Sequence, residues 1–362
     1  MSHQENAPLS VTPGAIRFNT DSMKLEYFRI GMEGGSTSSY AGIGTLAAGE
    51  WVQITTDTPE IQTGGTRGIQ ATGSHPGIGG NTIEYINIST TGNSIDFGDA
   101  LYSSSEVLGL ASSTRGLFAG GYAAPNHHNR IEYVTISSTG NSIDFGDLTA
   151  GSHGGQGGSN STRGVFVIGN DNPGFNSSNR IEYVTITSTG NAVDFGDTIT
   201  PGTKGVCGSS TRTVMFGGIS APTNSNTIEF ITISTLGNSA DFGDMTQVIN
   251  GSTGCSNSIR GLRMGGSLTS PGGDVNVIDY ITISTLGNAQ DFGDLSQTLR
   301  STRAVANPTR GVRFGGFAGG SSDTNTIEYV QIMSTGNAID FGDALSITRG
   351  GGCFSNGHGG LG

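Results

Sequence analysis

The segment Ile131-Glu132-Tyr133-Val134-Thr135-Ile136 alternates with a period of two. Ile131, Tyr133 and Thr135 then share one face of an extended strand, and Glu132, Val134 and Ile136 share the other. Neither face is purely polar, so the strand is expected to be covered on both sides. A Ser-Thr-Gly-Asn turn follows, then Ile143-Asp144-Phe145-Gly146-Asp147. Glycine and asparagine tolerate positive φ, which predicts a hairpin between the two pieces. The whole pattern recurs. Its second aromatic falls at Phe97, Phe145, Phe195, Phe242, Phe292 and Phe341, a period of roughly 47 to 50 residues.

Each repeat opens with a turn and an arginine, at Arg67, Arg115, Arg163, Arg212, Arg260 and Arg310, leading into a short apolar strand such as Gly164-Val165-Phe166-Val167-Ile168. In four repeats that strand runs into a glycine pair, for example Gly120-Gly121. A loop that differs between repeats comes next, and variable loops at one fixed point of a scaffold are candidate contact surfaces. A fourth strand, between the Asp-Phe-Gly-Asp piece and the next arginine, is built of Gly, Ser, Ala and Cys, as in residues 202–209 and 251–256. Small residues at one place in every repeat imply crowded backbones, as at the centre of a ring. The fold expected is all-β: a six-bladed β-propeller of four-stranded blades. Residues 345–357 supply an unpaired inner strand to complete the blade that starts at Arg67. Leu110, Gly158, Cys207, Cys255, Val305 and Cys353 then occupy equivalent positions.

Residues 1–57 lie outside the repeat. Residues 1–9 read as a flexible arm, and three alternating runs around Ile16, Tyr27 and Trp51 read as a small β module too small to bury a core alone. The expected domains are an arm and attachment module, 1–57, and a propeller, 58–362.

The apolar strand ending in a glycine pair, with aromatics after it, resembles the Kelch propellers over residues 63–362. The likeness is partial: the second aromatic is Phe instead of Trp, it stands farther from the Tyr, and two repeats lack the glycine pair. Kelch propellers are mostly binding scaffolds, and the resemblance implies that role here. Residues 13–27, Pro-Gly-Ala-Ile-Arg-Phe-Asn-Thr-Asp-Ser-Met-Lys-Leu-Glu-Tyr, with Gly49-Glu50-Trp51-Val52-Gln53-Ile54, resemble segments of tailed-bacteriophage structural proteins, especially tail fibres. The Ser-Thr-Gly-Asn-Ala-Ile-Asp-Phe-Gly-Asp repeats are similar to phage virion repeats.

Composition narrows the chemistry. Glycine contributes 62 of 362 residues without a three-residue period, and only 13% of residues are charged, which suits short strands and tight turns. A formal net charge of −12 disfavours nucleic acid as a partner. No apolar run is long enough for a membrane span, and no signal peptide is expected. Cys207, Cys255 and Cys353 lack metal-ligand spacing and read as small buried fillers. Acids such as Glu182, Asp194 and Asp197 recur in every repeat, whereas a glycosidase needs one unlike pair. They are therefore expected to hold turns and to pair with the repeated arginines. His127 and His128 are neighbours that would face opposite ways on a strand, so a loop role is expected and no metal or cofactor is assigned.

The function expected is that of a phage virion structural protein, a tail fibre or similar appendage, and not an enzyme. Residues 1–57 would bind other virion proteins, a homo-oligomer is expected, and the propeller would meet a host receptor, a glycan among the candidates. Asn126, His127, His128, Phe175, Pro222 and Phe317 mark the candidate contact loops. The alternative is a decorating protein of capsid, neck or tail. A polysaccharide depolymerase is the enzymatic rival.

Overall fold

The computed structural model describes residues 15–19, 24–30, 49–53, 65–75, 78–172, 176–220, 223–269, 272–319 and 322–361. Phe175, Pro222 and the arm lie outside them. The described elements are β-strands plus one short 3-10 turn, Gly359–Leu361, so the chain is all-β. Among the described residues no helix is long and apolar enough to cross a membrane. Two compact units divide between Pro59 and Glu60.

The first unit contains a three-stranded antiparallel sheet, Ile16–Asn19, Lys24–Ile30 and Gly49–Gln53, with Lys24–Ile30 in the middle. These are the three alternating runs of the sequence. Phe28 is buried, and the half-buried Arg17 donates to Glu26 at 2.9 Å. Ile16 and Phe18, two apart and so on one face, are exposed.

The second unit holds the six repeats, numbered here by their arginines from Arg67 to Arg310. Each contributes an antiparallel set in the order inner, second, third, outer. In repeat 2 these strands are Leu108–Ala111, Arg115–Ala119, Arg130–Thr135 and Ile143–Asp147. The inner strand of repeat 1 is Gly352–Ser355, with Cys353 opposite Gln70 of Arg67–His75. Crowding among inner strands is measurable: a Cβ on Gly157 would stand 2.6 Å from the Gly109 carbonyl oxygen, and one on Gly254 2.5 Å from that of Val206. Leu110, Gly158, Cys207, Cys255 and Val305 are equivalent, each opposite the residue two after its arginine, but in repeat 1 that place belongs to Phe354, opposite Ile69, and not to Cys353 as expected, because the Gly352–Ser355 strand pairs one residue out of the expected register. All of these residues line one narrow cavity of about 60 Å³. His358 closes on it, with Nε2 2.8 Å from the Ala111 carbonyl oxygen.

The outer strands differ in length for a local reason. After Asp147 and Asp197 the chain reads Leu-Thr-Ala-Gly and Thr-Ile-Thr-Pro-Gly, and the strands stop. In repeats 4 and 5, Met-Thr-Gln-Val-Ile and Leu-Ser-Gln-Thr-Leu continue them as Ala240–Asn250 and Gln290–Arg300. Their far ends pair with Ser267–Leu268 and Phe317–Ala318 of the following repeat, which joins repeats 4 to 6 into one fifteen-stranded sheet.

Three contacts recur at the junctions, and they correct the expected role of the arginines. Those six arginines do not pair with the repeated aspartates. Each guanidinium lies 4.3–4.7 Å from the ring centroid of its own third-strand aromatic, from Tyr85 to Tyr329 with Phe230 in repeat 4. That ring meets the repeated Phe edge-on at 5.9–6.1 Å. Nη1 of the same arginine then donates to an isoleucine carbonyl of the next repeat at 2.7–3.1 Å, as Arg67 to Ile136 and Arg163 to Ile233.

The turn asparagine also does something other than expected. It takes no positive φ. Its Oδ1 accepts the backbone N–H of the last Asp of the preceding outer strand at 3.0–3.1 Å, as Asn141 from Asp99. Gly98, at φ +147°, makes that approach possible, since a Cβ there would lie 2.5 Å from the Gly140 backbone.

The third junction contact uses the acid of the Ile-Glu-Tyr strand, which is buried in all six repeats. It accepts from the preceding outer strand: Glu132 from Leu101 N at 2.9 Å, Glu182 from Thr149 N at 2.9 Å, Asp279 from Thr246 Oγ1 at 2.6 Å. All three contacts also run between repeats 6 and 1. Arg310 donates to the Ile88 carbonyl at 3.1 Å, Asn93 accepts from Asp343 N at 3.0 Å, and Glu84 accepts from Leu345 N at 2.8 Å.

Candidate functional site

Every second strand hands the chain to a hairpin that returns as the third strand, so the variable loops leave their repeats at equivalent ends. Paired glycines turn it in four of them, as Gly120 and Gly121 at φ +68° and +101°. The hairpin of repeat 2, Tyr122–Ala123 paired with Asn126–His127, is tied down on both sides. Tyr122 exchanges backbone hydrogen bonds with Ser105 at 2.8 and 3.0 Å, beyond the repeat 1 outer strand. The His128 carbonyl accepts from Ser152 N at 3.0 Å, on the way into repeat 3.

This backbone arrangement gathers side chains from three repeats. The Arg130 guanidinium sits 3.5 Å from the centroid of Tyr102, and the His128 ring stacks on that tyrosine at 6.3 Å. Tyr122 meets His127 at 5.1 Å and His153 at 6.0 Å. His127 Nδ1 and His153 Nδ1 are 2.9 Å apart. Behind them Arg180 bonds Asp171 at 3.0 Å, Ser152 Oγ at 2.7 Å and Glu182 at 2.5 Å. Tyr102 is exposed, Tyr122, His127 and Arg130 are half-buried, and His153 is buried.

Burial holds the His153 imidazole at about 4; the neighbouring His127 adds to this, and Glu106 and Asp171 oppose it. His128 is lowered as well, first by burial and then by Arg130 and His127. Both rings are therefore neutral near pH 7. A neutral, polar surface with aromatic faces is suited to stacking and hydrogen bonding.

Asn126, His127 and His128 thus lie at the cluster. Phe317 does not belong to it: its half-buried ring is held between the Arg300 and Arg349 guanidiniums, at 4.6 and 4.8 Å. Those cations pair in turn with Asp274 at 3.1 Å and Asp323 at 3.3 Å. Tyr102, Tyr122, Arg130 and His153 escaped the sequence reading. Tyr102 and His153 stand at repeat positions where the other repeats carry unrelated residues, whereas Arg130 has its counterpart in Arg180 and Tyr122 in Phe317, so the repeat itself masked those two.

The central cavity has a different character. Its lining includes His358 and the three cysteines but no acid, and burial raises all three thiols, Cys255 to about 12. Thiols so protonated are poor nucleophiles. Among the described residues no group of three or more His, Cys, Asp or Glu is placed to hold a metal ion. No protein family and no curated protein matches the chain.

Proposed function

We infer that the six repeats form a closed six-bladed β-propeller, Kelch-like in build, and that the protein is a tailed-phage virion appendage whose loop face binds a host surface receptor, a glycan among the candidates. The recurrence of the junction contacts between repeats 6 and 1, together with the pairing of Gly352–Ser355 with Arg67–His75, supports closure. The observation that carries the binding role is the Tyr102, Tyr122, His127, His128 and Arg130 cluster. It is the place where side chains unlike the repeat are pre-positioned by backbone bonds from two neighbours, so little ordering cost remains on binding. Ile16 and Phe18 give the first unit an apolar edge for other virion proteins to cover. The repeated acids are engaged in junction bonds, which argues for a scaffold in preference to a depolymerase.

The test is binding of the full-length protein to host cells and to a glycan array. Tyr102→Ala and Tyr122→Ala should each weaken binding at least about tenfold, roughly 1.4 kcal/mol. Leu286→Ser, at an exposed turn of repeat 5, should leave it unchanged. Equal binding by all variants would remove the assignment of this face. Absence of binding, with the protein found in hundreds of copies on the head, would replace the reading with that of a decorating protein.

A further inference from the structure

The contact between His127 and His153 has a chemistry of its own, whatever the loop face meets. Two imidazoles with Nδ1 atoms 2.9 Å apart share one proton there: one ring carries it on Nδ1 and the other turns a lone pair towards it. The two Nδ1 atoms therefore face each other along one line, with the shared proton between them. Metal–imidazole bonds are about 2.0–2.1 Å, so two such nitrogens stand about 2.9 Å apart at a right angle and about 3.4 Å at the tetrahedral angle. The pair already stands at the first spacing, and an ion beside the hydrogen-bond line is reached when each ring turns its lone pair through about 45°, with little change in the distance between the nitrogens.

We propose that His127 and His153 form a two-imidazole site for a divalent, nitrogen-preferring transition ion, which clamps the repeat 2 hairpin to the strand entering repeat 3. Binding needs both Nδ1 lone pairs, so the proton between the rings moves to the far Nε2 of the imidazole that held it. Asp171 and Glu106, the acids whose charge acts on His153, stay in their ion pairs with Arg180 and Arg303, each at 3.0 Å, where they offset the ion's charge from a distance. Water takes the remaining positions. The right-angle spacing favours tetragonal ions, Ni(II) or Cu(II), over tetrahedral Zn(II). His128 is excluded from the set because its ring stacks on Tyr102.

Calorimetric titration of the full chain with Ni(II) tests this, with His3→Ala in every sample to remove a competing histidine near the N-terminus. One equivalent should bind. His127→Asn and His153→Asn should each weaken binding by at least tenfold, while His128→Asn stays within about twofold. A Cu(II) electron paramagnetic resonance spectrum of the His3→Ala protein, with couplings from two imidazole nitrogens, decides the matter even if the His153 variant does not fold. No saturable binding up to millimolar Ni(II), an unchanged isotherm in the His127 variant, or a spectrum with one nitrogen or none would overturn the proposal.

Discussion

If the ring is closed, the junction between repeats 6 and 1 must bear the same load as any other, and a matched pair of substitutions can measure it. Arg163→Ala removes a guanidinium 4.7 Å from the Tyr183 centroid and its 2.7 Å bond to the Ile233 carbonyl. Arg310→Ala removes the same pair of contacts at the seam, 4.6 Å from Tyr329 and 3.1 Å from the Ile88 carbonyl. A half-buried cation–π contact contributes about 1 kcal/mol. A hydrogen bond from a charged donor contributes about 1.5–3 kcal/mol, nearer the lower figure where water reaches the donor. Each substitution should therefore cost about 2–3 kcal/mol.

Unfolding entropy near 60 °C is about 2.1 cal/mol/K per residue, or roughly 0.6 kcal/mol per kelvin for a unit the length of Glu60 to Gly362. Differential scanning calorimetry should then show Tm lowered by about 3–5 °C in both variants. Arg→Lys at either position keeps the charge but loses the planar stack, and should recover less than half of the loss. The decisive comparison is internal. If Arg163→Ala lowers Tm and Arg310→Ala leaves it within 1 °C of the parent, the seam carries no load and the ring is open in solution.

Lys204→Met should lower stability by about 3–5 kcal/mol, because Lys204 and Glu229 are both fully buried, 3.1 Å apart, and the substitution strands a buried carboxylate; a calorimetric loss under 1 kcal/mol would show that Glu229 is already neutral. Burial lifts the Glu84 carboxyl above its usual 4.5, with bonds from Ser94 and Leu345 opposing. A raised folded pKa means a stabilising contribution that is complete below 4.5 and is lost as pH rises through the folded value. The stability of Glu84→Gln relative to the parent should accordingly increase from pH 4.5 towards neutrality in urea titrations, and a flat difference would refute the assignment. Truncation after Asp343 removes the strand paired with Arg67–His75 and exposes its edge; the product should aggregate or melt at least 10 °C lower, and full stability would show that repeat 1 does without that strand.

The strands were legible because their signals are local. Alternation in Ile131–Ile136 and the spacing of Phe97 to Phe341 depend only on residues within one repeat, and the small residues of the inner strands announce their own crowding. The junctions were not legible, because one partner is usually backbone. Arg163 reaches a carbonyl oxygen seventy residues away, and any residue in place of Ile233 would offer the same oxygen. The opposite charge of the nearby aspartates suggested the wrong partner. Asn141 likewise looked like a turn former because its service to Asp99 N crosses between repeats. The loop cluster was half visible: His127 and His128 stand out within one hairpin, but Tyr102 and His153 join them only once three repeats are packed side by side.

The buried acids separate what the scaffold requires from what each repeat improvises. In every repeat the acid accepts a bond from the preceding outer strand, from a backbone N–H in five and from the Thr246 hydroxyl in repeat 5, but the neutralisation of these acids differs far more. Asp279 and Glu328 face buried arginines, Arg263 and Arg313; Glu229 faces Lys204; Glu182 is met by Arg180 from its own strand; and Glu84 has Gln70 at 3.2 Å. The cations come from three different places, the second strand in repeats 5 and 6, Lys204 just ahead of the inner strand in repeat 4 and the third strand in repeat 3, so the acid is common to all six repeats and its countercharge is not. The acid persists because its carboxylate crosses a junction that a neutral side chain of the same length bridges less strongly. Where the answer is weakest, in repeats 1 and 2, burial raises both Glu84 and Glu132, and among the described residues no fully buried cation pairs with either acid. That side of the scaffold carries the Tyr102 and His127 cluster, so the loop cluster stands on the repeats whose buried acids are least answered by ion pairs.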